Sequence, residues 1–258
     1  MQPKFIIFRH GHSLANQESR IVSSHENGIR TTGGPEGTGF GLSKKGILEV
    51  AESARSLAEH IFASTQPGQH ATIRILTSPF QRTLQTAGII DYELRKAIEH
   101  HHSSLLPSKD TAAVPMVQMD GENEPNQVMD LRERFFGDFE MRTPSDDLYA
   151  KVWREDALNP FHEKFQVESV AMVTKRMTDV IRFIETMDKE RGCKAEDSSR
   201  TTDQQNSWVI IVSHGDSLQI LQTAMRGWSG DRHRQLEHLN TAEWRHVAWC
   251  EALADAHR

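Results

Sequence analysis

The sequence predicts an α/β fold: a three-layer sandwich with a mostly parallel central sheet, helices on both faces and a small cap insertion. Three observations predict it. The runs Phe5-Ile6-Ile7-Phe8 and Val209-Ile210-Ile211-Val212 are apolar at every position, as strands covered on both faces are. Strand-like runs alternate with stretches of helical periodicity. Both apolar runs end in His-Gly, as Arg9-His10-Gly11 and Ser213-His214-Gly215. In open α/β sheets ligands bind beyond the carboxyl ends of the strands, so two imidazoles are expected on one edge of the sheet, where a site belongs.

Length and composition set the limits. At 258 residues the chain can form one large α/β domain or two small ones. No linker divides it, so we expect a single domain over 1–258 with the cap at about 120–165. Hydrophobic content of 37% and a mean hydropathy of −0.58 imply long polar loops around an ordinary core. A net charge of −6 argues against nucleic-acid or anionic-membrane partners, so any anion site must be a local basic pocket. Cys193 and Cys250 lack the spacing of a disulfide framework or a structural zinc site. With no transmembrane run and no targeting segment, a soluble cytoplasmic protein is the expectation.

In chain order, Gly11 lets the backbone turn or approach a ligand after the first strand. A polar, glycine-rich segment over 17–41 is long enough to be either a substrate-facing loop or a flexible insertion. Ser43 is a candidate N-cap for a helix carrying Ile47, Val50, Ala54, Leu57 and Ile61. Ile73–Leu76 is a second strand, and Ser78-Pro79 suits the cap and first position of the next helix. Arg82 then falls in the first turn, where the helix dipole disfavours a cation by about 0.3–1 kcal/mol. A bound anion would offset that cost, whereas the bland alternative is an arginine reaching to solvent.

His100-His101-His102 falls in a polar stretch running to Ala113, and consecutive histidines share no face, so no metal site is expected there. Val114–Val117 suits an edge strand because of Pro115, with a loop over 120–127. Leu131–Glu140 is dense in carboxylates and aromatics, and 144–165 reads as short helices and loops. A long amphipathic helix spans about 167–191, a polar surface loop covers 192–207, and a last strand covers 244–249.

The chemistry-bearing residues are therefore Arg9, His10, Arg82 and His214, with a carboxylate cluster nearby. No P-loop, GxGxxG or HExxH is present. Arginine forks match phosphate oxygens. A neutral imidazole can attack phosphorus, and the second histidine with both arginines can hold the equatorial oxygens. A carboxylic acid can protonate the leaving oxygen and then, as carboxylate, activate water.

Arg9-His10-Gly11-His12-Ser13, extended by Asn16, resembles the RHGxSxxN signature of the histidine phosphatase superfamily, which includes phosphoglycerate mutases. Leu42–Gly46, Ser78–Ala87, Leu131–Gly137 and Ser213-His214-Gly215 resemble its later landmarks in order, over about residues 4–250. The resemblance implies His10 as phosphorylated nucleophile, Arg9, Arg82 and His214 as phosphate pocket, and Glu133 as proton donor. It implies phosphate or substrate contacts for Ser13, Asn16 and the Gly215 backbone. Because Gly215 separates His214 from Asp216, the chain is similar to the mutase-type branch rather than to the acid phosphatases. By spacing alone Glu140 and Asp138 stay open as donors, and Glu133 could instead pair with Arg132 or Arg134.

The sequence departs from the cofactor-dependent mutases in its longer loop over 17–41 and in lacking a basic run after Glu140. That favours a phosphatase with water as acceptor, acting on a small-molecule phosphate ester, with phosphoproteins also open. No cofactor is expected, neither a metal nor a bisphosphate primer. A mutase-type phosphotransferase and a catalytically silent phospho-ligand binder are the alternatives.

Overall fold

The structure, a computed structural model, describes residues 3–29, 39–66, 68–104, 116–120, 125–143, 146–196 and 205–250. Strand β1 (Lys4–Arg9) leads to two short helices, α1 (Leu14–Gln17) and α2 (His25–Ile29), and then to α3 (Lys44–Ala63). Next come β2 (His70–Thr77), α4 (Gln81–Ser104), β3 (Met116–Met119), β4 (Asn126–Gln127) and α5 (Asp146–Leu158). The chain continues with α6 (Val170–Glu196), β5 (Gln205–Ser213), α7 (Gly215–Met225) and β6 (Trp244–Val247).

The sheet order is β3-β2-β5-β1-β6, with β4 also pairing β2. Every pairing is parallel except β1 with β6, which is antiparallel. The continuous apolar strands now have a physical reason. Ile6 and Phe8 face one layer, joining Ile73, Ile75, Ile210 and Val212 against Val50, Leu57 and Ile61 of α3 and Ile90 and Leu94 of α4. Phe5 and Ile7 face the opposite layer, with Val209 and Ile211 against Val173, Met177 and Ile181 of α6 and Leu218 and Leu221 of α7. Alternate residues of one strand thus serve both cores, each fully buried side chain contributing about 1.5–3 kcal/mol. A third, smaller core of Ile21, Phe136, Phe139, Val152 and Val167 packs the segment that carries α5.

Several elements differ from the sequence reading. His100–His102 continue α4 rather than opening a polar loop, because nothing before Ser104 breaks the helix. Likewise α6 runs through Gly192 to Glu196, since one interior glycine costs only about 1 kcal/mol. Helix α4 starts at Gln81, two residues after Pro79, so Ser78 is not its cap residue. The last strand stops at Val247. The loop expected over 120–127 contains β4, and of the proposed strand at 114–117 the first two residues lie outside the described residues. Of the 17–41 segment, residues 30–38 lie outside them too.

Candidate active site

The parallel pairing of β1 with β5 sets Arg9 opposite Ser213, so the two His-Gly endings emerge side by side. Beyond the strand the backbone stays paired: the His10 amide donates to the Ser213 carbonyl at 3.0 Å. Gly11 then passes against α3. A Cβ there would lie 2.5 Å from Val50 Cγ2 and 2.8 Å from the Gly46 carbonyl oxygen, so no larger residue fits.

His10 is buried, 4% exposed. Its Nδ1 lies 2.8 Å from the Gly11 carbonyl oxygen, which can only accept, so Nδ1 carries the proton. Nε2 keeps its lone pair and accepts from Arg82 Nε at 3.2 Å. Burial, reinforced by the charges of Arg82 and Arg9, holds the imidazole well below its usual range, so it is neutral at neutral pH. Arg82 is not the solvent-reaching arginine of the bland alternative: it is 3% exposed and donates through NH2 to the Val22 carbonyl at 2.9 Å. Burial lowers its pKa to about 10.

The His214 ring stands edge-on to His10, 5.2 Å between centroids, with Nε2 2.8 Å from Ser78 Oγ. Burial first, then the Arg82 charge, depress its pKa well below the usual value. Arg9 NH1 donates to the Leu239 carbonyl at 2.7 Å and to His238 Nε2 at 3.0 Å. Its partner's Nδ1 therefore carries the proton, toward Gln219 Oε1 at 3.3 Å. Gly215 makes room for this pair: a Cβ would lie 2.8 Å from His238 Cε1 and 3.1 Å from Arg9 Nε. Among the described residues, three buried nitrogens of the cluster have no hydrogen-bond partner: Arg9 Nε, Arg82 NH1 and His214 Nδ1.

The three candidate acids separate by surroundings. Glu133 Oε1 accepts from the Arg134 amide (2.9 Å) and lies 3.1 Å from Ser217 Oγ, while none of the described residues donates to Oε2. Burial and then the nearby Asp216 charge raise its pKa, against a smaller pull from Arg82. Glu140 is committed elsewhere. Its carboxylate accepts from the Ser23 amide (2.8 Å) and hydroxyl, the Ser24 amide (3.0 Å) and Asn27 Nδ2 (3.0 Å). Burial pushes Glu140 up, but these donors outweigh it and the net shift is downward. Asp138 is exposed and accepts from Gln166 Nε2 at 2.8 Å. Nor is Glu133 paired with its neighbours in sequence. Arg132 reaches Asp130 and Glu168, and the fully buried Arg134 forks onto Asp156 at 2.7 and 2.8 Å and reaches Asp216 at 3.2 Å.

Ser13 and Asn16 form the reciprocal cap of α1: the Ser13 hydroxyl donates to Asn16 Oδ1 at 2.9 Å and accepts from the Asn16 amide at 3.2 Å. That short helix begins a segment pinned at both ends. Glu140 holds Ser23–Asn27, and Gly28 packs against the Phe80 ring. At the far end the Leu14 amide donates to Gly41 and the Leu42 amide to Gln85 Oε1. Helix α5 supplies Tyr149, edge-on to Phe136 at 5.2 Å and stacked on Trp153, over which Arg234 lies at 3.7 Å. Burial and then the Glu133 and Asp216 charges raise the Tyr149 pKa. His238 carries no sequence signal of its own, because it gains its place through Arg9, 229 residues away.

A sequence model of the histidine phosphatase superfamily (branch 1) matches residues 96–254, more than half of the chain. The match takes in Glu133 and His214, whereas Arg9, His10 and Arg82 precede it. No curated protein matches the sequence. Solved structures resemble the fold at low identity. A mycobacterial glucosyl-3-phosphoglycerate phosphatase in complex with VO3 is 19% identical, with 96% of each chain covered and a TM-score of 0.59. A mycobacterial hydrolase is 19% identical over 95% of this chain and 89% of its own, with a TM-score of 0.59. YhfR of Bacillus stearothermophilus is 17% identical over 95% and 90%, with a TM-score of 0.53.

Proposed function

The chain belongs to the histidine phosphatase superfamily, and from that premise we propose that it is a metal-independent phosphomonoester hydrolase working through a phosphohistidine on His10. The observation that carries this reading is the group of unpartnered buried nitrogens, Arg9 Nε, Arg82 NH1 and His214 Nδ1, gathered with a neutral His10. A buried donor without a partner costs about 1–3 kcal/mol. One tetrahedral oxyanion would satisfy all of them, and the fold relative solved with VO3 fits such a ligand.

In the first step His10 Nε2 attacks phosphorus in line while the bond to the leaving oxygen breaks. Arg9, Arg82 and His214 take the charge on the equatorial oxygens. Glu133, whose pKa burial raises, gives its proton to the leaving oxygen, and the alcohol departs. In the second step the Glu133 carboxylate takes a proton from water, which attacks the phosphohistidine, releasing phosphate and regenerating both groups. Glu133 suits this part because none of the described residues donates to its Oε2, whereas Glu140 is saturated by loop donors and Asp138 faces away. The positive charge the phosphoryl group requires comes from two arginines, so the reaction needs no metal. The rest of the substrate would meet the cap, at Phe136, Tyr149 and Trp153.

The test is phosphate release from p-nitrophenyl phosphate with chelator present, for the wild type and His10→Ala, with trapping of an acid-labile, alkali-stable phosphoenzyme. Release and trapping should vanish together in the variant. Undiminished release by His10→Ala would sink the reading. Transfer to a phosphoglycerate acceptor in place of water would assign the mutase reaction instead.

A further inference from the structure

We propose that Arg176, in the first half of α6, is a positioning residue for Glu133: it fastens the backbone that carries the acid, with Glu168 as its counter-ion. The inference rests on the reading of Glu133 as proton donor. Glu133 sits in an irregular stretch, just after the short 3-10 turn Met129–Leu131. Carbonyls in such a stretch have no ladder or helix partner and must find one elsewhere. Arg176 supplies it. NH1 donates to the carbonyls of Asp130 (2.6 Å) and Arg132 (3.0 Å), and NH2 reaches that of Glu133 at 3.4 Å. The rest of the fork goes to the Glu168 carboxylate, Nε to Oε1 at 2.8 Å and NH2 to Oε2 at 2.9 Å.

Glu168 also closes the neck of the cap. Its carboxylate accepts from the Phe135 amide (3.4 Å) and Arg132 NH2 (3.2 Å), and its own amide donates to the Phe135 carbonyl at 2.9 Å. Its carbonyl accepts from Arg134 Nε at 2.7 Å. The chain entering the cap and the chain leaving it therefore meet at this ion pair. From the opposite side, the Ser213 hydroxyl holds the Leu131 carbonyl at 2.7 Å, and the Ser217 hydroxyl shares its one proton between the Arg132 carbonyl at 3.0 Å and Glu133 Oε1 at 3.1 Å. The acid-bearing stretch is gripped between α6 and the start of α7, and only the α6 grip depends on a single side chain.

Displacing a catalytic group by about 1 Å can cost about 100-fold in rate. The experiment compares Arg176→Met and Arg176→Lys with the wild type on p-nitrophenyl phosphate and on glycerol 2-phosphate, and follows hydrogen exchange of the amides at 131–135. Arg176→Met should lower kcat on the alkyl ester about 10- to 100-fold and on the aryl ester less than about 3-fold, because a good leaving group needs little protonation. Exchange at 131–135 should rise while β5 stays protected. Lysine keeps the charge but cannot span the carbonyls, so it should show the same split. In a Glu133→Gln background, Arg176→Met should add almost nothing. Equal losses on both esters, or losses that simply multiply with Glu133→Gln, would overturn the proposal. Should Arg176→Met fail to fold, Glu168→Gln carries the same comparison. If the wild type hydrolyses neither ester, the functional reading fails by itself, and unchanged exchange at 131–135 in the variant overturns the clamp.

Discussion

Gly215→Ala tests how finely Arg9 is placed. The added methyl would lie 2.8 Å from His238 Cε1, 2.9 Å from its Nε2 and 3.1 Å from Arg9 Nε. Carbon does not approach these atoms so closely, so the imidazole or the guanidinium must give way. The ring cannot swing freely, being held by Arg9 NH1 at 3.0 Å and by Gln219. Overpacking a tight site costs about 1–3 kcal/mol. Alanine at the first residue of α7 returns up to about 1 kcal/mol of helix propensity. The net loss is then up to about 3 kcal/mol, or a fall in Tm of at most about 12 °C for a chain of this size. Activity should suffer more, with kcat/KM down about 10- to 100-fold, because Arg9, the proposed phosphate ligand, is displaced by a fraction of an ångström. The decisive variant is the double one. Gly215→Ala with His238→Ala makes space for the methyl, and the measured loss in Tm should be smaller than the sum of the two single losses. Strict additivity in thermal melts, or wild-type kcat/KM for Gly215→Ala, would refute the account of why glycine follows His214.

Other outcomes follow from the same geometry. Glu133→Gln should slow alkyl phosphates about 10²- to 10⁴-fold and aryl phosphates far less. In the wild type the rate on alkyl esters should fall as pH rises through the elevated Glu133 pKa, and that alkaline limb should disappear in the variant. His10 and His214 are neutral in the folded state but charge in the unfolded chain below about pH 6.5, so stability should decline as pH falls through that value, and His10→Gln should soften the decline in pH-dependent melts. Arg134→Met strands Asp156 and Asp216 without their buried partner and should cost about 3–5 kcal/mol in denaturant unfolding. A loss below about 1 kcal/mol would mean the two carboxylates are protonated or hydrated in the fold.

The layers of this molecule are legible in the sequence because a strand covered on both faces must be apolar throughout, and Phe5–Phe8 and Val209–Val212 have no other economical reading. The convergence of His10, Arg82 and His214 is legible for a related reason: parallel pairing sends His10 and His214 to one edge, and a helix start after β2 brings Arg82 beside them. The proposed acid is legible through the resemblance, which implies Glu133, whereas spacing treats Glu133, Asp138 and Glu140 alike. What separates them is which carboxylate is already saturated with donors, a tertiary fact. Ser78 shows the opposite failure. Local chemistry marks it as a helix cap, yet a histidine more than a hundred residues away claims its hydroxyl. Ser13 and Asn16, for which the resemblance implies substrate contacts, also cap α1 through each other.

The pins on either side of residues 30–38 separate two kinds of sequence freedom. Upstream, Glu140 and Arg82 fix the backbone from Val22 to Asn27, and downstream Leu14 and Gln85 fix Gly41 and Leu42. Between such fixed ends, lengthening a chain is inexpensive: each doubling of a loop costs about 0.6 kcal/mol in closure entropy. Residues added or removed there do not alter the span the ends must bridge, nor the bonds that hold Arg82 against His10. A change of length between these ends therefore leaves the bonds at Val22–Asn27 and at Gly41–Leu42 in place, and with them the setting of Arg82 against His10.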